Sequence, residues 1–118
     1  MHQHIDLGKK GEELAADWLM AKGFVILRRN WRYGRYEIDI IASRGKVLHI
    51  IEVKSRRSSS YGRPEESVSR QKFLNLMQGA AGWLVKYPRH KRLQYDVMAI
   101  DLRRGSEPEI AHFEDVYL

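Results

Sequence analysis

The segment Tyr36 to Lys54, YEIDIIASRGKVLHIIEVK, sets Glu37, Asp39, Glu52 and Lys54 within two otherwise apolar runs. In a strand alternate residues share a face, so Glu37, Asp39 and Ile41 point one way while Ile38, Ile40 and Ala42 point the other. By the same rule Leu48, Ile50, Glu52 and Lys54 lie opposite Val47, His49, Ile51 and Val53. With Arg44-Gly45 at the centre of a tight hairpin, Ile41 pairs with Leu48, Asp39 with Ile50 and Glu37 with Glu52. Cross-strand partners share a face, so the four charged side chains converge. Directly opposed carboxylates destabilise a sheet, and a bound cation explains their placement better than folding does. Hard divalent ions such as Mg²⁺ take oxygen ligands and keep waters for a phosphate substrate. A three-residue loop would reverse one strand's faces and break the cluster.

The elements that must position this patch are legible in the flanking pattern. Leu7, Gly11, Leu14, Ala15, Trp18 and Leu19 recur at helical spacing, predicting an amphipathic helix from Leu7 to Ala21 that Gly23 stops. Three strand-like runs follow, Phe24 to Trp31, Tyr36 to Ser43 and Val47 to Lys54, separated by Tyr33-Gly34 and Arg44-Gly45. The polar stretch SRRSSSYGR, Ser55 to Arg63, reads as a loop. Pro64 can open a second helix, whose apolar stripe runs through Val68, Phe73, Leu74, Met77, Ala81, Leu84 and Val85 to Pro88. Two further strands, Leu93 to Asp101 and Glu109 to Val116, close the chain. The order αβββαββ predicts an α/β fold, a central mixed β-sheet flanked by helices, because the second helix allows a parallel crossover.

Composition narrows the function. At 118 residues, 43% hydrophobic and 31% charged, the chain reads as a single domain with one core. It has no cysteine, which removes disulfides, thiolate metal sites and thiol nucleophiles together. Neither a signal peptide nor a membrane span is expected, so a soluble cytoplasmic protein is the default. The net charge is +6, but residues 105–118 carry four acids and no Lys or Arg, leaving 21 basic residues against eleven acids, +10, in the first 104. Basic clusters occur at Arg28, Arg29, Arg32 and Arg35, at Lys54, Arg56, Arg57 and Arg63, and at Lys86, Arg89, Lys91 and Arg92. Such clusters suit a polyphosphate backbone as well as they suit a solvated basic surface. Tyr33 and Tyr61, in basic loops, are better placed to stack on bases than Trp18, Trp31 and Trp83, which read as core.

Asp39, twelve intervening residues and then Glu52-Val53-Lys54 resemble the D…ExK core of the PD-(D/E)xK nuclease superfamily. A closer match spans nearly the whole chain: Gly8-x-x-Gly11-Glu12, Asn30, Glu37-Ile38-Asp39, Glu52-Val53-Lys54-x-Arg56, Gly62-x-Pro64, Lys72 and Tyr95-Asp96-Val97. Together these are similar to the YraN-like bacterial family, related in pattern to archaeal Holliday-junction resolvases. Three positions depart from the pattern. Ile38 stands where the superfamily has proline, Tyr36 where the family has glycine, and Gln94 where it has arginine.

The resemblance implies a restriction-endonuclease-like fold and a metal-dependent DNA endonuclease acting on branched or repair intermediates. Asp39 and Glu52 would ligate Mg²⁺ or Mn²⁺ with the Val53 carbonyl, and Lys54 would position the attacking water or stabilise the phosphate. Glu12 would serve as an outer ligand, or else as a carboxylate favoured near a helix N-terminus. Glu37 is either a further ligand or the partner of a neighbouring arginine. Arg32, Arg35, Arg56, Arg57, Arg63 and Lys72 are the candidate DNA contacts, and Lys72 could also be a solvated helix lysine. Expected partners are DNA and, for a homodimer, a second copy of the chain. The competing readings are a non-catalytic nucleic-acid-binding module and a protein whose basic face meets an acidic partner. Among the histidines, His49 faces away from the acids, His2 with His4 lies at a frayed terminus, and His90 and His112 have no evident partner.

Overall fold

The computed structural model describes residues 7–57, 69–89, 92–103 and 105–116. Their elements are α1 (Leu7–Ala21), β1 (Val25–Tyr33), β2 (Tyr36–Arg44), β3 (Val47–Arg56), α2 (Arg70–Lys86), β4 (Arg92–Asp101) and β5 (Glu109–Phe113). The five strands form one sheet in sequence order. β1, β2 and β3 make an antiparallel meander, β4 runs parallel to β3, and β5 is antiparallel to β4. The parallel step requires a crossover, which α2 supplies. The order αβββαββ around a mixed sheet is that of the restriction-endonuclease-like fold.

α1 ends where expected. Gly23 takes φ +91°, open to glycine at little steric cost, and the Phe24 N–H returns to the Leu19 carbonyl at 3.0 Å. α2 starts at Arg70, and Ser69 caps it by accepting the Lys72 N–H at 3.1 Å. Pro64 and Val68, expected to open that helix, lie outside the described residues.

The two helices cover opposite faces of the sheet. On one, Ala15, Ala16 and Leu19 of α1 pack with Phe24, Ile40, Ala42, Ile51, Met98 and Ile100. On the other, Leu76, Ala80 and Trp83 of α2 pack with Trp31, Ile38, Ile41, Leu48 and Ile50. Each fully buried Ile or Leu contributes about 1.5–3 kcal/mol, so the central strands are anchored from both sides. No helix among the described residues is long and apolar enough to cross a membrane.

α1 lies so close to β3 that a Cβ on Gly11 would fall 1.7 Å from Ser55 Oγ. Gly11→Ala should therefore cost about 1–3 kcal/mol through overpacking, read as a lowered urea midpoint. Ser55→Gly in the same chain should recover part of that loss. A Gly11→Ala protein as stable as wild type would contradict the contact.

Candidate functional site

The hairpin register differs from the expected one by two residues. The turn centres on Gly45-Lys46, with Gly45 at φ +62°, the left-handed value that primed hairpin turns demand at their first central position. Ile41 faces Ile50 and Ile40 faces Ile51, where Leu48 was expected opposite Ile41. An even shift leaves the side chains of β3 on the faces predicted for them. It also carries Glu37 away from Glu52 and brings Asp39 toward it, one step beyond the last pair.

A second departure lies in β2. Ile38 was expected on the face of Ile40 and Ala42, but it packs under α2 with Ile41. Alternation breaks at Asp39, opposite Asn30, and that position is skipped in the pairing of β1 with β2. Asn30 has φ +53°, a left-handed conformation that asparagine tolerates better than most residues. The break sets Asp39 between the two layers.

Its carboxylate takes the place of a backbone acceptor: the Val53 N–H donates to Asp39 Oδ2 at 2.8 Å. Burial, and then the neighbouring Glu52 carboxylate, push the Asp39 carboxyl up to about 7; the Val53 hydrogen bond and Lys72 oppose this, while Glu12 adds to it. Glu12 comes from α1 and Lys72 from α2, so both faces of the sheet reach Asp39. Glu52 is 5% exposed, and its Oε1 receives Lys72 Nζ at 3.2 Å and Lys54 Nζ at 3.7 Å. A pocket of about 500 Å³ opens beside Glu12, lined also by Gly8, Lys9, Glu13, Arg29 and Asn30. The carboxylates here offer oxygen donors, the set that hard divalent cations prefer.

The remaining predicted residues fall into distinct places. Glu37 is exposed and paired with Arg32 at 3.6 Å. Arg35 lies against the ring of Tyr36, 5.3 Å from its centroid. Arg56 is half-buried and pairs with Asp101 across the parallel β3–β4 step, and Arg57 is exposed just beyond β3. Arg63, Tyr61, His2, His4 and His90 lie outside the described residues.

On the opposite face of the sheet from Glu52 is a group that the sequence did not reveal. His49 Nδ1 and His112 Nε2 both meet Asp96 Oδ2, at 2.6 and 2.8 Å. The Asp115 N–H and Gln94 Nε2 donate to Asp96 Oδ1. These hydrogen bonds hold the Asp96 carboxyl well below the usual carboxylate range against the opposing effect of burial. With Glu114, the ligand atoms of these residues lie within 4.8 Å of one another, so the cluster could hold a metal ion. The only clue was His49 alternating away from Glu52. Its partners arrive through the β3–β4 pairing and β5, which local pattern does not specify. Gln94, standing where the family pattern has arginine, also donates to Glu114 at 3.2 Å.

Residues 11–100 match the model of the uncharacterised protein family UPF0102. The chain belongs to UPF0102. A UPF0102 protein of Rhodococcus opacus is 40% identical over 118 residues, covering 99% of this chain and all of the relative. One of Flavobacterium psychrophilum is 37% identical over 117 residues, 99% of this chain and 98% of the relative. A third, of Trichlorobacter lovleyi, is 39% identical over 113 residues, 94% of this chain and 89% of the relative. The UPF0102 match spans α1 through β4 and so includes Glu12, Asp39, Glu52, Lys54 and Lys72.

The folded UPF0102 chain holds the Asp39 proton more tightly than the unfolded chain, whose aspartates titrate near 4. This group therefore makes stability fall as pH rises from about 4 to about 7. Asp39→Asn removes that loss, and in metal-free buffer at pH 8 the variant should be more stable than wild type by about 1–3 kcal/mol. Urea melts at pH 5 and pH 8 check this. A wild type and variant with the same pH dependence would disprove the electrostatic description of Asp39.

Proposed function

We propose that this UPF0102 protein is a metal-dependent DNA endonuclease, hydrolysing phosphodiester bonds in branched or repair intermediates. The observation that carries the reading is Asp39, half-buried within the field of Glu52 and Glu12, its carboxyl raised to about 7 by burial first and then by those two acids. Carboxylates gathered at the end of a paired hairpin raise the cost of one another's charge, and a cation would relieve it. Asp39 and Glu52, with Glu12 in reach and, as the family resemblance implies, the Val53 carbonyl, would hold Mg²⁺ or Mn²⁺. When bound, such an ion lowers the pKa of a water and offsets charge on the phosphate.

The chain's own groups supply the rest. The Val53 N–H fixes the orientation of the Asp39 carboxylate. Lys54 and Lys72 bring two ammonium groups to the same place, where they can neutralise charge developing on a phosphate oxygen. Lys72 comes from α2, so that helix is part of the site as well as the crossover. The +10 balance of the first 104 residues favours a polyanion, whose release of counterions drives binding.

Linear, flapped and four-way DNA incubated with Mg²⁺ or Mn²⁺ test the reading, with strand cleavage resolved on denaturing gels. Cleavage should require the metal, and Asp39→Asn and Glu52→Gln should each reduce it at least a hundredfold while leaving the fold intact. Salt-sensitive binding without cleavage of any of these DNAs would leave a nucleic-acid-binding module instead. Unchanged rates in the two variants would remove the proposed site.

A further inference from the structure

A groove of about 720 Å³ lies between β1 and the C-terminal end of α2. Arg28, Lys86 and Arg89 line it together with Trp83 and Tyr87, and no carboxylate is among its described lining residues. The Trp83 and Tyr87 rings are 4.4 Å apart, centroid to centroid. Trp31 stands edge-on to Trp83 at 5.0 Å. Arg28 and Lys86 lie over the Trp31 ring at 5.8 and 5.9 Å from its centroid.

Two features say that the groove is made for an occupant. Three cations share it with no acid among the described lining residues to offset them, so it is complementary to an anion. The Trp83 and Tyr87 rings give it an aromatic wall beside those cations. A ligand with a flat π-face and negative charge meets both conditions at once. A nucleotide has both properties, and the groove is in the size range of pockets that take molecules of that class.

Tyr87 is 38% exposed, and a ring so placed can meet the face of a base only where the base is unstacked. A duplex would offer the groove only phosphates, whereas a single strand offers base and phosphate together. We propose that the groove holds an unpaired segment of nucleic acid, with a base against Tyr87 and Trp83 and its phosphates on Arg28, Lys86 and Arg89.

The inference deepens the nuclease reading, and its consequence for substrate choice rests on that reading. Lys72, in the first turn of α2, touches Glu52, and Lys86 is the last residue of the same helix. Fourteen residues at 1.5 Å each put Lys86 about 21 Å along α2 from the residue that touches Glu52. A substrate with a single-stranded arm reaching that far from the scissile bond would engage both.

Binding and cleavage are measured separately so that each idea can fail alone. In EDTA, the full-length chain is titrated into fluorescein-labelled oligo-dT and into a duplex of equal length, followed by anisotropy and by tryptophan emission. Oligo-dT should bind more tightly than duplex and quench tryptophan emission. Tyr87→Ala should weaken oligo-dT binding about tenfold, the loss of one base stack, with duplex binding unchanged. Tyr87→Phe should restore it. Lys86→Gln with Arg89→Gln should reduce the slope of log K against log salt by about 1.4 for the single strand. Equal affinity for both nucleic acids, or a Tyr87→Ala variant that binds oligo-dT like wild type, would overturn the groove and leave the cleavage reading standing. Tyr87-dependent binding with no cleavage would do the reverse.

Discussion

One backbone hydrogen bond organises the functional end of the sheet: the Val53 N–H, which donates to the carboxylate of Asp39. The regular pairing of β2 with β3 stops at Ile40 and Ile51. Beyond it, a donor that would otherwise need a carbonyl is met by a side chain. That substitution holds an acid in a place where burial and neighbouring carboxylates both oppose its charge. A solvated carboxylate at a strand end would be cheaper for the fold. Here it is tied to the backbone, and its position is set by the same contact that ends the hairpin.

The surrounding layers adapt to this point. Asn30, in a left-handed conformation opposite Asp39, interrupts the alternation of β2 and lets Ile38 turn under α2 while Ile40 stays under α1. The acid is thereby open to groups from both helices. Glu52, by contrast, sits in ordinary alternation on the face that α2 covers, and two lysines compensate its burial. Two carboxylates a few residues apart in space thus have different environments: one shares its charge with other acids, and the other has cations of its own. Pairs of acids so differentiated are a recurrent way to divide roles within a site.

Much of this was legible in the residues. The 3.6-residue stripe gave α1 with the same ends that the fold has, and two-residue alternation placed Glu52 and Lys54 together on the face away from His49. The resemblance to the D…ExK core singled out Asp39 and Glu52, which the fold sets within each other's field. What escaped was whatever depends on a single residue of local geometry or on distant pairing. The turn lies one residue later than Arg44-Gly45 because Gly45 takes its first central position, and either placement preserves the faces. The face on which Ile38 packs is not legible in the pattern, because an asparagine can reverse its φ without a signature such as glycine. Arg56, a candidate DNA contact, is half-buried against Asp101, a partner that only the parallel β3–β4 register brings near. The His49–Asp96–His112 group depends on that same register and on β5.

The irregularities of β1 have another effect. β1 and β5 are the two outer strands of the sheet, and an outer strand presents unpaired amides to any other chain that can extend it. β5 is only five residues long. β1 has nine, long enough to be a template for stacking molecules edge to edge. Its register slips between Ile26 and Arg28, and its backbone reverses at Asn30. Arginine occupies positions 28, 29 and 32. A strand so bent and so charged is a poor template for self-association. The distortion that sets Asp39 between the layers therefore also protects the molecule from aggregation along its longer open edge.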